Sequence, residues 1–205
     1  MMTRPKTLLE MAGAPAMAVD WNKAVLLLID HQQEYLSTGK LPLAGIDAAV
    51  AEVGRLLAAA RAHAAPVVHI QHMGRAGGLF DPAANGAFVE AIRPAEGEAV
   101  VSKTLPNAFA NTSLDETLQR IGRKELVVAG FMTHMCVSAT VRSALDHGYR
   151  SAVVASACAT RDLPDPIGGG VLSAGQVHHA ALTALSDRFA TIIADTSAIS
   201  VPAAA

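Results

Sequence analysis

With 205 residues, 51% of them hydrophobic and 17% charged, the chain can bury one sizeable core. A net charge of −2 and the lack of any Lys/Arg-rich run argue against a nucleic-acid partner. Its longest apolar stretches, such as AVLLLI at Ala24 to Ile29, fall far short of the ~20 residues a membrane span requires, so no membrane partner is expected.

The N-terminal MMTRPKTLLEMAGAPAMAVDW is broken by Glu10, Gly13 and Pro15 and lacks the compact apolar centre of a signal peptide. Residues 1–20 are expected to form an arm lying on the domain or on a neighbouring subunit, and residues 21–205 a single domain. KAVLLLID (Lys23 to Asp30) has the pattern of a buried strand. Asp47 to Ala64 is Ala-rich with apolar residues three and four apart, which predicts a helix. Strands follow at Pro66 to His72 and at Ala99 to Thr104. SLDETLQRIG predicts a helix with Ser113 as N-cap, Glu116 in a reciprocal capping box and Gly122 at its stop. ELVVAGFM is the next strand, HMCVSATVRSALDHG a helix ending at Gly148, and SAVVASACA another strand. A helix over Ser173 to Phe189 and a strand TIIADTSAI complete the chain. Strands that are apolar throughout are covered on both faces. Alternation of such strands with helices predicts a mostly parallel sheet with helices on each side.

Two segments, Met73 to Phe88 and Arg161 to Ser173, are rich in Gly, Pro and Asp and are expected to be loops. Each follows the C-terminal end of a strand, the edge that carries the ligand crevice in open parallel sheets. Three reactive groups fall on that same edge: Asp30 closing the first strand, Lys103 in VVSKT, and Cys136 in the first turn of the helix after ELVVAGFM. A thiol at a helix N-terminus beside an ammonium is expected to have a lowered pKa, toward the nucleophilic thiolate. A carboxylate can accept the thiol proton and return it to a leaving group, and free backbone N–H groups can hold an oxyanion. Taken singly, each group has a plainer explanation: a turn-forming Asp, a solvated edge Lys, a buried structural Cys. Cys136 and Cys158 could pair, but both lie in strand or strand-to-helix contexts, and free thiols in a cytoplasmic protein are expected.

The segments IDHQQEY, SKTLPNAFANTSLDETL and AGFMTHMCVSATVRSALDHGY resemble, in order, the three signature segments of the isochorismatase-like cysteine hydrolases. The likeness runs from about Lys23 to Ile199. It implies a three-layer α/β/α, Rossmann-like fold on a six-stranded sheet, and a catalytic triad of Asp30, Lys103 and Cys136. It also implies a cis peptide between Phe131 and Met132, an oxyanion hole from the N–H groups of Met132 and Cys136, and no organic cofactor. The metal-binding Asp-x-His of the nicotinamidases in this superfamily is missing, since the region reads HIQHMGRAGG. His69 and His72 are three apart in a strand and face opposite ways, so no metal is expected. His72 is placed to line a pocket and His69 to sit in the core.

Gln32, Tyr35, His72 and Phe109 are candidate substrate contacts, and Phe80 a candidate pocket wall; a turn hydrogen bond for Gln32 and core packing for the aromatics are the plainer alternatives. Neither His178 nor His179 is given a chemical role, and Arg75 and Arg161 are each candidates to meet a substrate carboxylate. The expected function is hydrolysis of a small amide, carbamoyl or ureido compound through a thioester on Cys136. The rival readings are vinyl ether hydrolysis of the isochorismatase type and a non-catalytic oligomeric family member. The mean hydropathy of +0.32 is high for a 21.2 kDa monomer and predicts a homo-oligomer, dimer or tetramer.

Overall fold

A computed structural model describes residues 4–199 of the chain. In order, these form α1 (Leu8–Met11), β1 (Ala24–Ile29), α2 (Ile46–Ala62), β2 (Val67–His72), β3 (Ala99–Lys103), α3 (Leu114–Ile121) and β4 (Glu125–Phe131). A π-helical turn (Thr133–Val137) then runs into α4 (Ser138–Asp146), followed by β5 (Arg150–Ala159) and a small hairpin of β6 (Leu163–Pro164) and β7 (Val171–Leu172). Next come α5 (Ala174–Arg188) and β8 (Ala190–Ile193), with a 3-10 turn at Thr196–Ala198 closing the described residues.

β1 organises the layers. All six of its residues are buried, and they divide by the strand's two-residue period. Ala24, Leu26 and Leu28 join the core beneath α2, and Val25, Leu27 and Ile29 join the core beneath α3, α4 and α5. Each fully buried Val, Leu or Ile here is worth ~1.5–3 kcal/mol. On one face α2 buries Ile46, Ala49, Val53, Leu56, Leu57 and Ala60, a stripe at helical spacing. On the other, Leu114, Leu118, Val141, Leu182 and Leu185 pack against the sheet. The two faces make the expected three-layer α/β/α arrangement.

The six strands of the sheet are all parallel, in the order β3-β2-β1-β4-β5-β8. The chain leaves β1 toward β2 and β3, then returns to build β4, β5 and β8 on the other side. The switch point therefore lies between β1 and β4, where open α/β sheets carry their ligand crevice. There the two strands approach too closely for a side chain: a Cβ on Gly130, whose φ is +123°, would lie 2.0 Å from the Ile29 carbonyl oxygen.

Several boundaries differ from the sequence expectation. Ser113 precedes α3 without capping it; its φ of −87° and ψ of 14° are not the extended conformation a capping side chain needs. The Leu114 N–H is taken instead by Thr112 Oγ1 at 3.2 Å. The reciprocal box forms at Ser173 and Gln176, ahead of α5. The last strand stops at Ile193, because Asp195 caps a following turn. The arm lies on the domain: Leu8 N–H donates to Asp187 Oδ1 and Met17 N–H to Thr191 Oγ1, both at 2.8 Å. No helix among the described residues is long and apolar enough to cross a membrane.

Candidate active site

The end of β1 delivers a carboxylate. Asp30 takes a φ of +49°, a region that Asp and Asn tolerate better than most residues, and its side chain is fully buried at the switch point. The end of β3 delivers a cation: the Lys103 side chain is fully buried, with Nζ 2.7 Å from Asp30 Oδ2. β4 ends in a cis peptide between Phe131 and Met132, and the π-helical turn that follows carries Cys136. The Cys136 Sγ lies 3.3 Å from Lys103 Nζ. Three side chains whose extremes, Asp30 and Cys136, are 106 positions apart in sequence thus meet around the Lys103 ammonium. Cys136 precedes α4 rather than occupying its first turn, because the backbone makes one wide turn before the α-helix begins at Ser138.

The electrostatics reverse one expectation. Burial, with the Asp30 charge adding to it, pushes the Cys136 thiol up to about 12, and Lys103 offsets this only in part. Desolvation outweighs the ammonium, and the balance favours the thiol over the thiolate. Burial also raises Asp30, against the lowering pull of Lys103. Beyond Lys103 and the Cys136 thiol, no described group hydrogen-bonds either Asp30 oxygen. A carboxylate with spare lone pairs beside a protonated thiol is a base waiting for a proton.

Neighbours of these three side chains are tied down in turn. Thr133 is fully buried; its hydroxyl donates to the Ala159 carbonyl at 3.1 Å and meets His178 Nδ1 at 2.9 Å. The turn bearing the sulfur is thereby fastened to β5 and α5. Glu34, buried after β1, accepts from the N–H groups of Lys40 and Phe80, at 2.7 Å each, and so clips the loop that follows β2. His31 Nε2 meets His69 Nδ1 at 3.0 Å, and His69 Nε2 meets Glu98 at 2.8 Å, which is paired in turn with Arg61. Both rings are held below their usual pKa by burial.

Residues 24–197 match the family model of the isochorismatase domain. The chain belongs to the isochorismatase family. It is 44% identical to the uncharacterized isochorismatase family protein YddQ of Bacillus subtilis over 82% of this chain and 93% of that one. An isochorismatase from Pseudomonas putida KT2440, known by its crystal structure, superposes with a TM-score of 0.88 at 45% identity, covering 92% of this chain and 96% of that one. A maleamate amidohydrolase of Pseudomonas putida is 35% identical over 64% of this chain and 70% of its own length.

Within this isochorismatase-family hydrolase the remaining candidate residues divide. His72 lies at the site, its Nδ1 3.1 Å from Lys103 Nζ. Tyr35 is buried near Asp30 and Cys136, edge-on to Phe80 and Phe131 at 5.2 and 5.8 Å, and burial, then the nearby Asp30, raises its phenol well above its usual pKa. Gln32 is not a free contact: its buried amide holds the N–H and C=O of His72 and the C=O of Gly86. It anchors loop to strand. Phe109 is also displaced from the site; it stacks on His147 at 4.5 Å and on Tyr149 at 5.9 Å, beyond the far end of α4. The short connection after β3 turns its ring into the core beneath α3. His69 and Cys158 are core residues as expected, and burial pushes the Cys158 thiol up to about 12. Arg75 is exposed on its loop, while Arg161 buries its Nε without a described partner. Among the described residues no group of three or more His, Cys, Asp or Glu could hold a metal ion. Thr133, His178 and Glu34 were not legible as site supports. Most of their partners are backbone groups or side chains far away in sequence, at Phe80, Ala159 and the Thr133–His178 pair.

Proposed function

We propose that the protein hydrolyses a carbon–nitrogen bond of a small amide, carbamoyl or ureido compound through a thioester on Cys136. The observation that carries this is the contact of one ammonium, Lys103, with both the Asp30 carboxylate and the Cys136 sulfur in a buried site. Since the thiol rests protonated, its proton passes to Asp30 as Sγ attacks the carbonyl carbon. The oxyanion is held by the N–H groups of Met132 and Cys136, with Lys103 balancing the charge on Asp30. When the C–N bond breaks, Asp30 gives its proton to the departing nitrogen. A water then loses a proton to Asp30 and attacks the thioester, and the sulfur leaves with that proton. The kinship with a maleamate amidohydrolase supports an amide substrate, and Arg161, whose Nη1 donates to the Asp162 carbonyl but whose Nε has no described partner and which forms no ion pair among the described residues, supports one bearing a carboxylate.

A second reading has its own support. Burial raises the pKa of Asp30, which suits it to donate a proton to a vinyl ether, a step that needs no thiol. One substitution separates the two. Cys136→Ala is expected to abolish ammonia release from a panel of small amides and ureides, and to remove the acyl adduct seen by mass spectrometry in the parent. Pyruvate release from isochorismate that survives Cys136→Ala, with no amide cleaved by the parent, favours the second reading.

A further inference from the structure

An ammonium has three N–H bonds and no lone pair. Those of Lys103 have three neighbours: Asp30 Oδ2 at 2.7 Å, His72 Nδ1 at 3.1 Å and Cys136 Sγ at 3.3 Å. A nitrogen that faces an ammonium at this distance must accept, so Nδ1 of His72 carries no proton. In a neutral imidazole the proton then sits on Nε2. The residue's backbone and one side of its ring are also held in place. Gln32 holds the residue's N–H at 2.8 Å and its C=O at 2.9 Å, and the Phe80 ring packs against the imidazole at 4.9 Å. Nε2 has no hydrogen-bond partner among the described residues and is not sealed from solvent, and the side chain is only partly buried.

We infer that His72 is a substrate-recognition residue. Anchored to Lys103 through Nδ1, its neutral ring offers Nε2–H to an acceptor on the substrate, a carbonyl or carboxylate oxygen at the β-carbon of the substrate's acyl chain. This deepens the amide-hydrolase reading and rests on it. The same lysine that contacts base and nucleophile thus fixes the polarity of the recognition group. Burial and the Lys103 charge hold the His72 pKa at about 4, so the donor form persists through neutral pH.

The test uses two variants that divide the ring. Asn overlays the Nδ1 half and can still accept from Lys103, but has no donor where Nε2 stood; Gln reaches the Nε2 position with an amide N–H. Ammonia release is measured on pairs of small amides differing by C=O in place of CH2 at the β-carbon of the acyl chain, acetoacetamide against butyramide among them. The wild type is expected to prefer the acceptor-bearing partner by about tenfold in kcat/KM, mostly through KM. His72→Asn loses that preference, and His72→Gln recovers part of it at lower kcat. A preference unchanged in His72→Asn, or none in the wild type, overturns the inference while leaving the amide reading in place. Failure of the wild type to cleave any amide or ureide of the panel overturns the amide reading and this inference with it. A substrate-free measurement stands beside these: ¹⁵N NMR at pH 7, with His72 assigned by its loss in His72→Gln, should show the Nε2–H tautomer. An Nδ1–H tautomer or an imidazolium overturns the inference whatever the kinetics.

Discussion

Asp30→Asn isolates the charge of the buried pair, because Asn tolerates the φ of +49° and keeps an oxygen for Lys103 to bond. At 2.7 Å and an effective dielectric constant of ~20, the attraction between the two charges is ~6 kcal/mol before desolvation is counted. Both side chains are fully buried, so most of that attraction offsets the cost of taking two ions out of water. Removing one partner leaves the other ion buried and unpaired, typically at ~3–5 kcal/mol; the retained Asn oxygen places this substitution near ~3 kcal/mol. For a chain of this size that lowers Tm by ~6–12 °C. Lys103→Met should cost a similar amount, and urea denaturation of both variants measures it. The double variant carries no unpaired ion, so its cost should be well below the sum, with a coupling of ~2–3 kcal/mol. Single costs below ~1 kcal/mol, or a double variant additive within ~0.5 kcal/mol, would refute the buried-pair account.

Two further outcomes follow from the pKa shifts. Iodoacetamide should label Cys136 at pH 7 more slowly than it labels a free thiol of pKa ~8.5, with a thiolate fraction roughly three orders of magnitude lower. Its rate should keep rising with pH beyond 10, and labelling as fast as a free thiol at neutral pH means that the sulfur is ionised at rest. Glu98 is held at about 2, chiefly by its hydrogen bonds from Arg61, with the Ala95 N–H and His69 adding to them. A depressed carboxylate stabilises the fold fully above its unfolded pKa, and that contribution fades as pH falls from about 4.5 toward about 2. Because Arg61 is 39% exposed, solvent screening reduces the contribution to ~1–2 kcal/mol. Glu98→Gln should therefore flatten the acid limb of the stability curve over that window; an unchanged limb argues that the ion pair adds nothing.

The layered fold was legible because it follows from local chemistry. A strand apolar on both faces, as at Ala24 to Ile29, has to be covered on both sides, and an Ala-rich helix such as α2 supplies one cover. The chain order of strands and helices then placed Asp30, Lys103 and Cys136 on one edge, and the cis bond at Phe131–Met132 stands where the family likeness put it. The ionisation of the sulfur was not legible. A helix start and a nearby lysine both argue for a thiolate, and only the depth of the site shows desolvation to be the larger effect.

Roles shared through space were likewise hidden. Gln32 and Phe109 have side chains suited to a pocket, yet one is spent on the His72 and Gly86 backbone and the other on a stack with His147. Thr133 depends on His178, forty-five residues away. The amino-acid order by itself determined which groups arrive at the mouth of the sheet, since strand direction and length are set within each segment. Only the tertiary structure decided which of them face each other without water between, and for charged and hydrogen-bonding groups that is what sets protonation, orientation and hence chemistry.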